Sequence, residues 1–193
     1  MSHVEVLDAK WLAALAEIDA AAAEKVRASG CVHCGAALDR ADYPRKARGE
    51  LGEAASAYEK RLSFCCRRQG CRKRATPPSL RFLGRKVYIA AVVVAVSAIG
   101  QTLRLSGPGR PGRVHGVPVV TLRRWLAWWQ SVLGLSAFFA EAKGFLSEPV
   151  EVAQLPASLL SRFGQGAAAL GKMLRFIAPV TTGSVQARIS MAM

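Results

Sequence analysis

The sequence predicts an α+β fold, mainly α, in which a small cysteine-held β-ribbon is followed by a helical domain of helix-turn-helix-like character. Three observations lead there. Five cysteines fall at 31, 34, 65, 66 and 71 and nowhere else. Apolar residues recur at helical spacing both before and after that window. Between Lys60 and Ala140 there are fifteen Lys and Arg and not one Asp or Glu.

In chain order, residues 7–28 read as a helix, with Trp11, Leu15, Ile18 and Ala22 at helical spacing and Asp8, Glu17, Asp19 and Glu24 among them. Asp8 suits the first turn, and Ser29-Gly30 is a stop. A basic, turn-like segment covers 43–49, and a weak helix candidate lies near 53–60. Leu62, Phe64 and Cys66 alternate with Arg61, Ser63 and Cys65, which fits a short strand. The Thr76-Pro77-Pro78-Ser79 run ends the ribbon, because two prolines cannot continue a ladder. Residues 85–105 read as a largely buried helix, 106–118 as a Gly/Pro/Arg loop, and 119–133 as a second strong helix broken at Gly134. Ser136 caps a short helix to about 146. Pro156 opens a helix to 163, and 167–177 is the last helix, ahead of a loose tail after Thr181. The expected domains are an amphipathic helix (1–30), the ribbon (31–84), the helical domain (85–146), and C-terminal helices with a tail (147–193).

The cysteines fit a metal better than disulfides. Their number is odd, and no basic leader with an apolar run opens the chain, so a reducing compartment is expected. Cys31-Val32-His33-Cys34-Gly35 has the form of a metal knuckle, with Gly35 easing the backbone round the turn. Phe64-Cys65-Cys66-Arg67-Arg68-Gln69-Gly70-Cys71 supplies the other half. Four thiolates in two groups make a closed tetrahedral site for zinc (Zn2+), structural because no open position remains. The expected ligands are Cys31, Cys34, Cys66 and Cys71. Cys65 is the alternate to Cys66, which shares a strand face with Phe64.

The charge sets the expected partner. The whole chain carries +14, so the +15 of the acid-free segment exceeds the total and the remainder sums to −1. A long block of one sign makes a field that suits a phosphate backbone. Arg67, Arg68, Arg72, Lys73, Arg74, Arg81, Arg85 and Lys86 are the expected phosphate contacts. In helix 119–133, Leu122, Trp125, Leu126, Trp129, Val132 and Leu133 fall on one side. Arg123, Ala127 and Gln130 fall on the other, with Arg124 and Ser131 at the border. Arg reads guanine and Gln reads adenine by paired hydrogen bonds, so Arg123, Arg124 and Gln130 are the base-reading candidates. The segment before this helix is a poor first helix. Either a very short one lies near 113–115, or a basic loop replaces it and brings Arg110 and Arg113 to phosphate or a minor groove. The longest apolar stretch, 87–100, is shorter than the roughly 20 residues a membrane span requires.

The run from Phe64 through Cys66, Cys71, Arg72-Lys73-Arg74 and Thr76-Pro77-Pro78 to Tyr88 resembles the zinc-ribbon segment of bacterial insertion-sequence transposases and their small accessory proteins. The later Gly116-Val117 to Thr121-Leu122-Arg123-Arg124-Trp125 run is similar to the helix-turn-helix that accompanies such ribbons. The likeness covers roughly residues 31–133. One departure matters. Such transposases cut DNA with three carboxylates holding two metal ions, yet here all four aspartates (8, 19, 39 and 42) precede the second cysteine group, and only Glu141, Glu148 and Glu151 follow it. A serine or tyrosine recombinase needs a far larger catalytic domain. The expectation is therefore a non-enzymatic DNA-binding component of transposition or recombination, cytoplasmic and nucleoid-associated. It would bind double-stranded DNA and a transposase or recombinase (or itself), with no membrane and no small-molecule substrate. The alternatives are a zinc-dependent transcription regulator and an RNA or ribonucleoprotein-binding component.

Overall fold

The computed structural model describes residues 7–182, so the tail expected after Thr181 lies almost wholly outside the described residues. The chain forms an α+β structure, about half helical, with small antiparallel sheets. It divides into two compact units, residues 7–90 with 177–182 and residues 91–176.

The first unit opens with helix α1 (Ala9–Ser29). Asp8 is its N-cap, the carboxylate accepting the Trp11 N–H at 2.6 Å, and Gly30 ends it at φ +74°. An N-cap acceptor satisfies one of the orphan amides of the first turn. The buried stripe is Leu12, Leu15, Asp19 and Ala23. It shares Leu15 with the predicted stripe of Trp11, Leu15, Ile18 and Ala22 but is rotated toward Leu12, Asp19 and Ala23, leaving Trp11, Ile18 and Ala22 half-buried at its border, and it carries a carboxylate.

Asp19 is 1% exposed and fully partnered. It accepts from Arg81 Nε at 2.9 Å, from the Leu80 N–H at 2.7 Å and from the Ser79 hydroxyl. Arg81 also donates to the Ala57 carbonyl and lies over the rings of Tyr58 and Phe82, at 5.7 and 5.2 Å. Tyr58 ends a 3-10 helix (Gly52–Tyr58), found where the sequence offers only a weak helix, and its hydroxyl donates to the Leu12 carbonyl. One buried ion pair thus ties α1, the 3-10 helix and segment 79–82 together. This corrects one sequence expectation. Arg81 is 4% exposed and meets an internal carboxylate, so it is no phosphate contact.

The sheet of this unit has the order β1 (Leu38–Arg40), β4 (Phe64–Cys66), β5 (Arg74–Ala75), all antiparallel, with Leu38 opposite Cys66 and Phe64 opposite both Arg40 and Ala75. A second pairing joins β2 (Tyr43–Pro44) to β3 (Lys60–Arg61), with Tyr43 opposite Arg61. The strand expected across 61–66 is therefore interrupted. At the break the Asp42 carboxylate takes the Ser63 N–H at 3.0 Å and the Ser63 carbonyl takes the Ala41 N–H. Residues 85–89, expected as the start of a helix, are not helical and make single bridges instead, Arg48 to Tyr88 and Phe82 to Ile89.

In the second unit, α2 (Ala90–Gly100) is apolar and mostly buried all round. Its end comes close to the next helix, since a Cβ on Gly100 would meet Leu122 Cδ2 at 2.9 Å. The Gly/Pro/Arg loop leads into a hairpin of β6 (Arg113–Val114) and β7 (Val117–Pro118), turned by His115 and Gly116 at φ +45° and +73°. Two positive φ values at the centre of a two-residue loop match the twist of a hairpin. The very short helix considered near 113–115 is thus replaced by β-structure. Next come α3 (Val119–Ala127) and a π-helix (Trp128–Leu133), closed by the Gly134 N–H on the Trp129 carbonyl. A Cβ on Gly134 would lie 2.6 Å from Val152 and 2.7 Å from the Gln130 carbonyl, so the chain needs glycine there. The apolar side of 119–133 is as the wheel predicts, with Leu122, Trp125, Trp129 and Leu133 buried. Ser136 caps α4 (Ala137–Ala142) as expected, and α5 (Ala157–Leu160) and α6 (Gly166–Ile177) complete the helices. No helix among the described residues is long and apolar enough to cross a membrane.

Removing one partner of a buried pair leaves an uncompensated charge. Asp19→Ala is expected to cost about 3–5 kcal/mol in urea denaturation, whereas Glu17→Ala on the exposed side of α1 should stay within about 0.5 kcal/mol.

Candidate metal centre and basic surface

Two turns bring the cysteines together. In the first, the Gly35 and Cys34 N–H groups both meet the Cys31 carbonyl, and Gly35 sits at φ +70°, the role the sequence gives it. In the second, the Cys71 and Arg72 N–H groups return to the Arg68 carbonyl, and Arg72 takes a positive φ of 44°. Cys66 leaves β4 with its N–H on the Lys73 carbonyl, so the loop is closed at its base.

The sulfurs of Cys31, Cys34, Cys66 and Cys71 lie within 4.8 Å of one another, close enough to hold a metal ion. Cys31 Sγ is 3.8 Å from Cys71 Sγ, and Cys34 Sγ is 3.4 Å from Cys66 Sγ. A tetrahedral ion with metal–sulfur bonds of about 2.3 Å requires sulfur–sulfur edges of about 3.8 Å. Cys65 stands apart, its thiol turned to the Arg72 carbonyl at 3.4 Å. Strand alternation explains this, because adjacent residues of β4 face opposite sides of the sheet. Ala23, Leu38 and Phe64 form an apolar cluster with Cys31 and Cys66.

Backbone amides serve as an outer shell. The Ala36 N–H meets Cys34 sulfur, that of Arg68 meets Cys66, and that of Lys73 meets Cys71. The Ala36 amide, with Cys66 next, holds the Cys34 thiol down to about 7. Burial pushes Cys66 up to about 12. Cys71 is raised, although the Lys73 amide lowers it, because burial and the sulfurs of Cys34 and Cys31 act the other way. Four sulfurs this close cannot all become thiolates without a cation among them, and a divalent ion supplies that charge.

The predicted basic residues divide by their partners. Arg67 makes a fork with the Asp39 carboxylate at 2.7 and 3.0 Å, so its charge is already matched. Arg74 is held by the Ala41 carbonyl, the Ser63 hydroxyl and the Tyr43 ring. Lys86 is half-buried, and burial lowers it to about 8. By contrast Arg68, Arg72, Lys73 and Arg85 are exposed and form no ion pair among the described residues. In the second unit Arg110, Arg113, Arg123 and Arg124 are exposed, and Arg113 donates to the Gly116 carbonyl. Gln130 is a correction. Its amide donates to the Ala153 carbonyl at 2.7 Å, so the group expected to read adenine is a tether to a neighbouring segment.

Two basic residues outside the predicted contacts are held in fixed positions. Arg45 donates to the Gly84 and Lys86 carbonyls, and Arg61, on β3, is 3% exposed. The sequence carried no signal for Arg61, because the alternation that turns Leu62, Phe64 and Cys66 inward puts it on the other side of the strand.

No protein-family model matches the chain, and no curated protein or solved structure matches it.

Cys34→Ser is expected to reduce bound metal from one ion per chain to near zero by elemental analysis and to unfold the first unit, since the binding free energy of such an ion is folding free energy. Cys65→Ser should retain the ion. Metal loss with Cys65→Ser and retention with Cys66→Ser would reverse the assignment.

Proposed function

We propose that this chain is a zinc-bound, non-catalytic DNA-binding accessory protein of a mobile genetic element, acting in transposition or recombination on the nucleoid. The observation that carries this reading is the loop between Cys66 and Cys71 and its exit. There Arg68, Arg72 and Lys73 stand exposed and without ion pairs beside four sulfurs able to hold a metal. Zinc held by Cys31, Cys34, Cys66 and Cys71 makes this a rigid ribbon, and rigidity lowers the entropy lost when side chains settle on phosphates.

Arg68, Arg72, Lys73 and Arg85 contact the backbone of double-stranded DNA. Such contacts set position and orientation, and base edges supply specificity. Helix α3 is the reading element, entered from the β6–β7 hairpin in place of the first helix of a helix-turn-helix. Arg123 and Arg124 face base edges, and Arg110 contacts phosphate. With no cluster of three carboxylates among the described residues, strand cutting belongs to a partner transposase or recombinase.

Affinity for duplex DNA is expected to fall with salt. The five phosphate contacts, Arg68, Arg72, Lys73, Arg85 and Arg110, predict a log–log slope of about −4.5, at roughly −0.9 per phosphate. Lys73→Ala should weaken binding equally for all sequences and reduce the slope by about 1, while Arg124→Ala should cost about 1–3 kcal/mol at one base position. A slope near zero would remove the electrostatic basis of the proposal. Mapping bound DNA in cells locates the role, because sites at mobile-element ends support it and sites confined to promoters would replace it with transcriptional regulation.

A further inference from the structure

A cavity of about 390 Å³ lies in the first unit, lined by Arg45, Arg61, Arg74 and Arg85 together with Tyr43 and Thr76. No Asp or Glu lines it. Four guanidiniums round one hollow repel each other, and burying a cation without a counter-charge is costly. The nearby carboxylates are already taken, Asp19 by Arg81, and Asp42 by Arg40 and the Ser63 N–H.

Arg61 states the problem most sharply. It is 3% exposed, its Nη2 donates to the Pro77 carbonyl, and its Nη1 is out of water with no partner. Buried donors are nearly always satisfied, and an exception calls for a ligand or an ion. Burial also lowers the affinity of this guanidinium for its proton, with the Asp19 charge opposing.

The other arginines are already positioned. Arg45 is fixed by the Gly84 and Lys86 carbonyls and lies 5.2 Å over the Phe82 ring. Arg74 is fixed by the Ala41 carbonyl and the Ser63 hydroxyl, and lies 5.6 Å over the Tyr43 ring. Arg85 alone is exposed and unpaired, at the solvent side. Three preset donors and one exposed one form a receptor whose ordering cost is largely met before binding. Guanidinium forks match the oxygens of phosphate in particular. The volume is at the low end for small-ligand sites, which span about 300–1,000 Å³, and suits a phosphoryl group with little more than a sugar attached.

We propose that this cavity binds a phosphate monoester, with Arg45, Arg61 and Arg74 as its fixed donors and Arg85 closing on the ligand from solvent. The two sources of that group are the 5′ end of a nucleic acid and a free phosphorylated small molecule. Arg85 is shared with the proposed duplex contacts, but Arg45, Arg61 and Arg74 are not, and a chain indifferent to duplex DNA would still hold this site.

The test uses the full metal-loaded chain with inorganic phosphate, by calorimetry and by thermal melting at constant ionic strength against chloride. One saturable site per chain is expected, with a melting temperature that rises with phosphate and not with chloride. Arg85→Ser should weaken phosphate at least tenfold while leaving the melting temperature in chloride unchanged, because its side chain is exposed and unpaired. Arg61→Met, if it folds, should abolish binding. Thymidine monophosphate and a single-stranded oligonucleotide with either a 5′-phosphate or a 5′-hydroxyl separate the sources. A tenfold preference for the phosphorylated oligonucleotide over the mononucleotide assigns the site to nucleic-acid ends, and equal affinity assigns it to small phosphates. Phosphate that behaves as chloride does, or binding untouched by Arg85→Ser, would overturn the proposal.

Discussion

The first unit rests on the convergence of four sulfurs. Its strands are two or three residues long, well under the five or six of an ordinary strand. Ladders that short cannot fix a register by themselves. The cysteines fix it at both ends. Cys66 is itself a strand residue opposite Leu38, and Cys71 ends the turn that returns the chain to β5. Joining residues 31–34 to 66–71 closes a loop of some thirty residues, whose entropic cost rises only slowly with length. One ion held between both turns would offset that cost, to which the small apolar cluster around Phe64 adds little.

The uneven charge of the sequence has a counterpart inside the fold. All four aspartates precede the basic segment, and each is put to structural use. Asp8 caps α1, Asp19 meets Arg81, Asp39 meets Arg67, and Asp42 holds Arg40 and the Ser63 amide. The acidic N-terminal part thus supplies counter-charges for a minority of the arginines. Two groups remain unmatched, the exposed cations around the cysteine turn and those lining the cavity beside Arg61. The first group faces water and is screened there. In the second, Arg61 is buried while Arg74 and Arg85 reach water, so the proposed anion rests on Arg61 and the cavity and not on net charge alone.

Much of this was legible in the sequence, where the pattern was local. The first helix, read at 7–28 and found at 9–29 with its Gly30 stop, the Gly35 turn, the choice of Cys66 over Cys65, and the apolar side of 119–133 all follow from spacing. What failed was non-local. Nothing nearby marks Asp19 as buried, because its partner lies sixty residues away, and the buried stripe of α1 is turned to meet it. Arg81 failed for the same reason. Residues 85–89 read as helix because a β-branched, apolar run serves either structure, and bridges to Arg48 and Phe82 decided it. Arg45 and Arg61 gave no warning, since only the β2–β3 pairing brings them to one cavity.

The end of α3 shows how a single backbone change accompanies a redirected polar side chain. Side chains on an α-helix return to the same face after three or four residues. From Trp128 the chain widens into a π-helix, which inserts about one extra residue per turn and is frequent at functional positions. Trp129 and Leu133 stay buried across the change, so the apolar side is kept. The polar side is not. Gln130 turns off the line of Arg123 and Ala127 and reaches the Ala153 carbonyl. For the proposed DNA reading, helices that enter a major groove make base contacts mainly through their N-terminal residues, and Arg123 and Arg124 would remain available for them without Gln130. The tether has its own effect, because it fixes the far end of α3 to the segment around Ala153.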